Sequence, residues 1–406
     1  MASRVALSLE PREHIVVWLI GVAHLVSHFY HLVLPPLFGL IISDLNITYT
    51  QIGLVMTLYF ASTAIVQIPI GILVDRIGAR TVLTIGLFLM GTAVLLAGLV
   101  PNYTVLLLAF LIAGIGNAVF HPADFSILSK SVRKSHHGRA FAIHTFGGSI
   151  GYAAAPVVIL PLGAVIGWQG ALVFAGMLGL FAGLTILFFG SSFQDNTTEN
   201  KLEELKTKGQ KKEGDWRIML TRPMLLFFLF YAATSASATG MTGFSIYALP
   251  LVYNVTPETA GIVLTCFLTA AILGSLPGGW LADWADREEL VLVFCFFVSV
   301  ICLVSIGAGI LNLWFIFAVA LLSGFIRGLY NASRDILVRR ASPDSSVGTT
   351  FGFVTLGYTL GQGGTPILYG WLMDQNYGSG VFYLSAGAAL IALSIVLVPG
   401  QGQKQR

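Results

Sequence analysis

Apolar stretches long enough to cross a hydrocarbon layer as a helix, about 20 residues each, recur along the whole chain. Twelve can be marked, at 15–37, 50–73, 81–100, 103–129, 138–160, 168–190, 223–252, 258–281, 289–310, 313–338, 347–372 and 379–398. The first is not followed by a small-residue cleavage pattern, so it reads as a span rather than a leader. One long polar stretch, Ser191–Thr221, interrupts the series and contains KLEELKTKGQKKEGDWR. Its mixed charge predicts a flexible or partly helical linker. The pattern predicts an all-α membrane protein of twelve transmembrane helices. Residues 1–190 form one six-helix bundle, 191–221 the linker and 222–406 a second bundle.

Charge adds an orientation. Of the 22 Lys and Arg, all but Arg327 and Arg334 fall at the termini or in the alternate loops, which include the linker. The opposite loops carry only acids such as Asp44, Glu258 and Asp374. Basic loops stay on the cytoplasmic side, so a cell (inner) membrane protein with both termini cytoplasmic is expected. Only 10% of residues are charged, against about 25% in soluble domains, which excludes a soluble reading. The net charge of +3 arises in the loops and gives no reason to expect nucleic acid as a partner. Cys266, Cys295 and Cys302 lie in apolar runs with no metal or disulfide spacing and read as small buried residues. No phosphate-cradling loop ending in Lys-Ser/Thr is present, nor any nucleophile–base set, so neither direct ATP drive nor an enzyme is expected. No cofactor is expected, and the chain is expected to act as a monomer.

The two halves repeat. GILVDR at 71–76 is echoed by GWLADW at 279–284. An offset of 210 pairs Gly114 with Gly324, Gly138 with Gly348, Phe141 with Phe351, Gly147 with Gly357, Gly151 with Gly361 and Pro156 with Pro366. Parallel repeats of six helices with a site at their interface are a recurring plan for secondary transporters.

Polar side chains inside the spans are the candidate chemistry, because each is costly in hydrocarbon unless it faces water or a partner. In the fourth span, within GIGNAVFHPADFS, Asn117, His121 and Asp124 stand at i, i+4 and i+7, one face of a helix. A carboxylate in such a cavity can take and release a proton as it opens to each side. Asp124 lies only six residues before Lys130, so it is placed either in the cavity or at its cytoplasmic mouth. In the first span His24, His28 and His31 repeat the same spacing. Imidazoles can carry a proton, hydrogen-bond between helices or ligate a metal. No Cys or carboxylate joins them locally, and the outer two are about 10 Å apart along the axis, so no metal site is expected. The fifth span carries His144 and the glycines 147, 148 and 151. The tenth holds Arg327, Asn331 and Arg334, the repeat partners of Asn117, His121 and Asp124. Arg keeps its charge in proteins, so Arg327 calls for an anion, either a carboxylate of the protein or a substrate. Gln67, Tyr231, Tyr330, Tyr358 and Gln362 are weaker candidates for hydrogen bonds in a cavity.

The loop Gly71-Ile-Leu-Val-Asp75-Arg76-Ile-Gly78-Ala-Arg80 resembles the signature GxLxDRxGxR of the major facilitator superfamily, at its expected place between the second and third spans. The resemblance implies the major facilitator fold, with two pseudo-symmetric bundles that rock against each other. It also implies a cytoplasmic gate in which Gly71 permits close packing, Gly78 a tight turn, and Asp75, Arg76 and Arg80 make latching contacts. The second copy keeps Asp283 but has Trp284 in place of the Arg, which weakens its latch. Phe120-His121-Pro122 followed by an acid is similar to the fosmidomycin-resistance branch, a group of drug exporters. Here the acid falls one position later, at Asp124, turned about 100° around a helix. The Arg that many members carry four residues before Gly114 is Phe110. The glycine run of the fifth span is similar to that of exporters, though close helix packing explains it equally.

Together these features predict a secondary active transporter that moves a small organic solute, anionic or amphiphilic, by alternating access coupled to protons. The resemblance favours export of drug-like compounds. Proton-coupled uptake of an organic anion such as a carboxylate is the alternative, and a non-transporting membrane sensor is a remote one. The lipid bilayer, protons and a small-molecule substrate are the expected partners.

Overall fold

A computed structural model describes residues 9–193, 216–284, 287–342 and 347–398. Most of the expected linker, and the side chain of Asp283, lie outside the described residues. Those described form helices joined by short turns, with no strand among them. The helices are α1 (Pro11–His31), α2 (Phe38–Leu45), α3 (Tyr49–Ile77), α4 (Ala79–Leu99), α5 (Tyr103–Asn117), α6 (Phe120–Ser131) and α7 (His137–Phe189). After the linker come α8 (Arg222–Thr239), α9 (Ser245–Tyr253), α10 (Pro257–Trp284) and α11 (Glu288–Gly307). The last four are α12 (Leu313–Ala341), α13 (Val347–Gly364), α14 (Pro366–Asp374) and α15 (Gly378–Val396).

Ten stretches among the described residues are long and apolar enough to cross a membrane. They map onto the twelve expected spans with two corrections. The fifth and sixth spans are continuous in α7, and Gly167, at φ 72° and ψ 168°, breaks it between them. That backbone conformation is open to glycine and strained for other residues. The eleventh span is not one helix but two, α13 and α14, parted at Thr365 ahead of Pro366. Pro366 has no N–H for the Gln362 carbonyl and its ring crowds that carbonyl, and glycine, threonine and glutamine dilute the hydropathy of this segment. Large apolar side chains such as Val165, Trp280 and Trp314 are 81%, 78% and 82% exposed, which only a lipid-facing surface explains.

The chain divides into two compact units. Unit 1 comprises Met1–Val33, Ser62–Ala155 and Leu162–Gln210. Unit 2 comprises Leu34–Ala61, Pro156–Pro161 and Lys211–Arg406.

In unit 1 a run of glycines brings α7 onto α1. A Cβ at Gly147 would fall on the Gly21 carbonyl, and one at Gly151 on the Leu25 carbonyl. Unit 2 repeats the arrangement with α13 on α8. There Gly357 meets the Phe228 carbonyl and Gly361 the Ala232 carbonyl. These two glycine pairs of the internal repeat, 147 with 357 and 151 with 361, are therefore packing devices, as small residues at close helix crossings are. A second fastening ties α1 to the end of α6. Buried Glu13 accepts hydrogen bonds from the Arg133 backbone N–H (2.8 Å) and faces His136 Nδ1 at 2.9 Å. It also closes a capping box with Glu10 at the start of α1.

Unit 2 carries a contact between distant parts of the chain. The Asp374 carboxylate, at the end of α14, accepts from the backbone N–H groups of Tyr49 (2.7 Å) and Thr50 (2.9 Å) and from the Thr50 hydroxyl (2.5 Å). An anion at the first turn of α3 satisfies donors that the helix itself leaves unused and complements its dipole. Gly53 and Gly370 pack closely in the same region, against the Pro366 and Tyr49 carbonyls. Removing this carboxylate in Asp374→Ala is expected to cost about 0.5–2 kcal/mol, the range for lost helix caps. It would be read as a lower melting temperature of the purified protein. An unchanged melting curve would show that the contact contributes nothing to stability.

Candidate functional site

Five histidines and one carboxylate of unit 1 converge from three helices. α1 contributes His24, His28 and His31 on one stripe, α6 contributes His121 and Asp124, and α7 contributes His144. The glycine crossing allows this, because a side chain at Gly148 would collide with the His24 and His28 rings. Asp124 is fully buried, and His24 and His144 are 3% and 2% exposed. One carboxylate oxygen, Oδ2, lies 3.0 Å from His144 Nε2 and 3.2 Å from His24 Nδ1. The two imidazoles stack with ring centres 3.7 Å apart. His28 continues the series 4.3 Å from His24, and His31 follows at 5.1 Å from His28. Tyr152 ends it, with its hydroxyl 2.7 Å from His31 Nδ1. His121 is exposed and its ring centre lies 5.4 Å from that of His24.

Of the two contacts to Oδ2 only that of His144 has hydrogen-bond alignment, and it needs a proton either on that nitrogen or on the acid, which would then donate. The number of protons in the cluster therefore sets its bonding pattern, which is the chemistry a proton carrier needs. Asp124 is buried inside unit 1.

Asn117, His121 and Asp124 all meet α1, although the hydrogen-bond ladder lapses between them: Asn117 bonds Ser27, the His121 ring centre lies 5.4 Å from that of His24, and Asp124 faces His24 at 3.2 Å. Pro122 lacks the N–H that would bond the Ala118 carbonyl, and its ring crowds that carbonyl. The helix is interrupted at Ala118 and Val119, between α5 and α6. Asn117 is buried: its Oδ1 accepts from Ser27 Oγ (2.8 Å) and its Nδ2 donates to Thr63 Oγ1 (3.4 Å). Ser27, Thr63 and Tyr152 are partners that sequence reasoning missed. Ser27 had a visible signal, lying three residues after His24 on the same stripe.

In unit 2, Arg327 of α12 donates to the Tyr358 hydroxyl of α13 at 3.1 Å. Its guanidinium carbon lies 6.0 Å from the centre of the Phe267 ring. Ser235 of α8 fixes the neighbouring backbone by donating to the Tyr358 carbonyl at 2.6 Å. Arg327 lines a pocket together with Thr234, Ser237, Ser299, Ser323 and Tyr330. The pocket thus combines a permanent cation with hydroxyl-bearing residues and an aromatic wall, where Tyr330 stacks on Phe296 at 4.8 Å. Arg334 takes a different part. It stacks over the Tyr231 ring at 4.5 Å and pairs with Asp335 at 2.8 Å, and the same carboxylate oxygen accepts from the Tyr231 hydroxyl at 2.6 Å. Asn331 is half-buried on the turn between the two arginines. The four hydroxyl-bearing pocket residues escaped the sequence reading, since Ser and Thr are common in membrane helices.

The basic loop between α3 and α4 is partly as expected. Gly78 has φ 95° and makes the turn. Arg80 donates to the Leu187 carbonyl at 2.6 Å. Asp75 and Arg76 are exposed. Gly71 is not at a close contact, since a Cβ there would meet nothing within 4 Å.

Known proteins agree with this architecture. The chain is 24% identical over 382 residues to a D-galactonate transporter of Escherichia coli O6:H1, covering 88% of each. It is 23% identical to the fosmidomycin resistance protein of Escherichia coli (strain K12), over 95% of this chain and 93% of that one. A bacterial homologue of the human lysosomal transporter Spinster superposes with a TM-score of 0.77 at 15% identity, covering 96% of this chain and 97% of its own. The model of the Major Facilitator Superfamily matches residues 20–252 and 232–405. The chain is a multi-pass membrane transporter and belongs to the Major Facilitator Superfamily.

Proposed function

We propose that the protein takes up a small organic anion together with protons, by alternating access. The observation that carries this reading is Arg327 at the wall of a pocket that it shares with hydroxyl-bearing, aromatic and aliphatic side chains. A guanidinium in a low-dielectric pocket binds a carboxylate or comparable anion through strong charge-assisted hydrogen bonds. Thr234, Ser237, Ser299 and Ser323 suit a solute with hydroxyl groups of its own. The D-galactonate transporter among the relatives moves a solute of that kind. The cluster around Asp124 is the proton carrier, with His24, His28, His121 and His144 sharing the load, and Asn331 and Arg334 flank the anion site. Asp75, Arg76, Gly78, Arg80 and Asp283 form the cytoplasmic latch of a monomer whose termini are both cytoplasmic.

Export of drug-like compounds is the second reading, supported by the Phe120-His121-Pro122 run and by the fosmidomycin resistance protein among the relatives. One experiment separates the two. Purified protein in proteoliposomes is offered labelled hydroxycarboxylates, D-galactonate among them, and fosmidomycin, under pH gradients of either sign. Saturable uptake of a hydroxycarboxylate with the proton gradient is expected. Arg327→Ala should reduce it about tenfold or more, from the loss of a hydrogen-bonded ion pair. Movement of fosmidomycin alone, against the gradient, would favour export. Undiminished uptake by Arg327→Ala would remove the anion site from Arg327.

A further inference from the structure

We propose that His24, Asp124 and His144 form a binding site for one divalent transition-metal ion of the zinc class. This goes beyond the transport reading and holds whichever solute the protein moves, with the ion and the coupling protons competing for the same lone pairs. Three donor atoms, one from each of three helices, lie within 4.8 Å of one another in the interior of unit 1. The two measured edges, 3.0 and 3.2 Å, are close to the edge of a tetrahedron of ligands around zinc, about 3.3 Å for metal–ligand bonds near 2.05 Å.

The hydrogen-bond pattern points the same way. His24 Nδ1 approaches Asp124 without the alignment of a hydrogen bond, and Asp124 Oδ1 is buried with no partner. His28 Nδ1, on the next turn of α1, is likewise buried without one. A cluster built only to satisfy itself would pair donors with acceptors, because unsatisfied buried polar atoms are costly. Here atoms with lone pairs are gathered around a common point instead.

The donor set fixes the class of ion. Two imidazoles and a carboxylate suit zinc and its neighbours Co²⁺ and Ni²⁺, whereas calcium and magnesium take oxygen ligands. No thiolate, which would select Cu(I), is among the three donors. Three protein ligands leave a fourth position for water or an anion. Rigid support comes from the glycine crossing of α7 on α1 and from Glu13, which ties α1 to the end of α6. Sequence spacing hid the site, because the two ligands that complete it around His24 lie on other helices.

The test uses the full-length protein in detergent with any affinity tag removed. Titration calorimetry with zinc chloride should give one saturable site per chain. Co²⁺ should give the intense visible absorption of a four-coordinate ion. Asp124→Asn and His144→Gln should each weaken binding about 100-fold, while His137→Gln, whose ring bonds the Val132 carbonyl instead, should bind as the parent does. His24→Gln serves in place of either ligand variant that fails a melting or size-exclusion check. Absence of saturable zinc binding, or binding unchanged in the ligand variants, would overturn the proposal. Neither substrate nor gradient is present, so failure here leaves the transport reading intact, and failure of transport leaves the metal site standing.

Discussion

Asp124→Asn in proteoliposomes is expected to abolish accumulation driven by a pH gradient, while exchange of labelled for unlabelled substrate continues near the parent rate. The asparagine keeps the size of the side chain but can neither gain nor lose a proton. A carrier with a permanently neutral group at this place can still bind solute and reorient, which is all that exchange requires. It cannot release a proton on the far side, so the gradient has no hold on the cycle. The burial of Asp124 between His24 and His144 makes it the acid most isolated from solvent among the described residues of unit 1. Loss of exchange together with accumulation, in a protein that still melts normally, would reassign Asp124 to substrate binding or to structure. Accumulation at the parent rate would place the coupling proton elsewhere.

Valine at Gly151 or at Gly361 is expected to be as damaging to folding as Asp124→Asn is to coupling. Each of these glycines lies so close to the backbone of a crossing helix that a Cβ would overlap a carbonyl oxygen, that of Leu25 or of Ala232. Overpacking in cores costs about 1–3 kcal/mol where side chains can yield, and backbone yields less. Both variants should lose most of the monodisperse protein recovered in size-exclusion chromatography. Gly71→Ala is the matched control, because nothing stands within 4 Å of the added atom, and its recovery should equal the parent's. Normal recovery of both valine variants would show that these crossings can open without cost.

The spans were legible because a hydrocarbon solvent imposes length and hydropathy directly on sequence. The repeat was legible because glycine at a backbone contact tolerates no substitute. The joining of His24, Asp124 and His144 was not legible. Each residue stood out singly, yet spacing relates only residues on one helix, and here the relation runs across three. Asn117, His121 and Asp124 do share the side that their spacing predicts, but Ser27 and His24, which they meet on α1, could not be read from that spacing. Arg327 and Arg334 looked alike in the sequence. Only their neighbours, the Tyr358 hydroxyl for one and Asp335 with Tyr231 for the other, distinguish them.

The Asp374 contact also bears on how the chain is assembled. Its partners at Tyr49 and Thr50 are 325 and 324 residues earlier, so they are synthesised and inserted long before the carboxylate exists. Unit 1 has all its residues once Gln210 has been made. Leu34–Ala61, which belongs to unit 2, must wait through nearly the whole of translation for its own. During that interval the first turn of α3 has no carboxylate on its amides, and the segment depends on lipid, water or insertion factors for its stability. Contacts of such long range form last and slowly. The opening third of the chain therefore matures in two steps, and the second begins only when the final helices arrive.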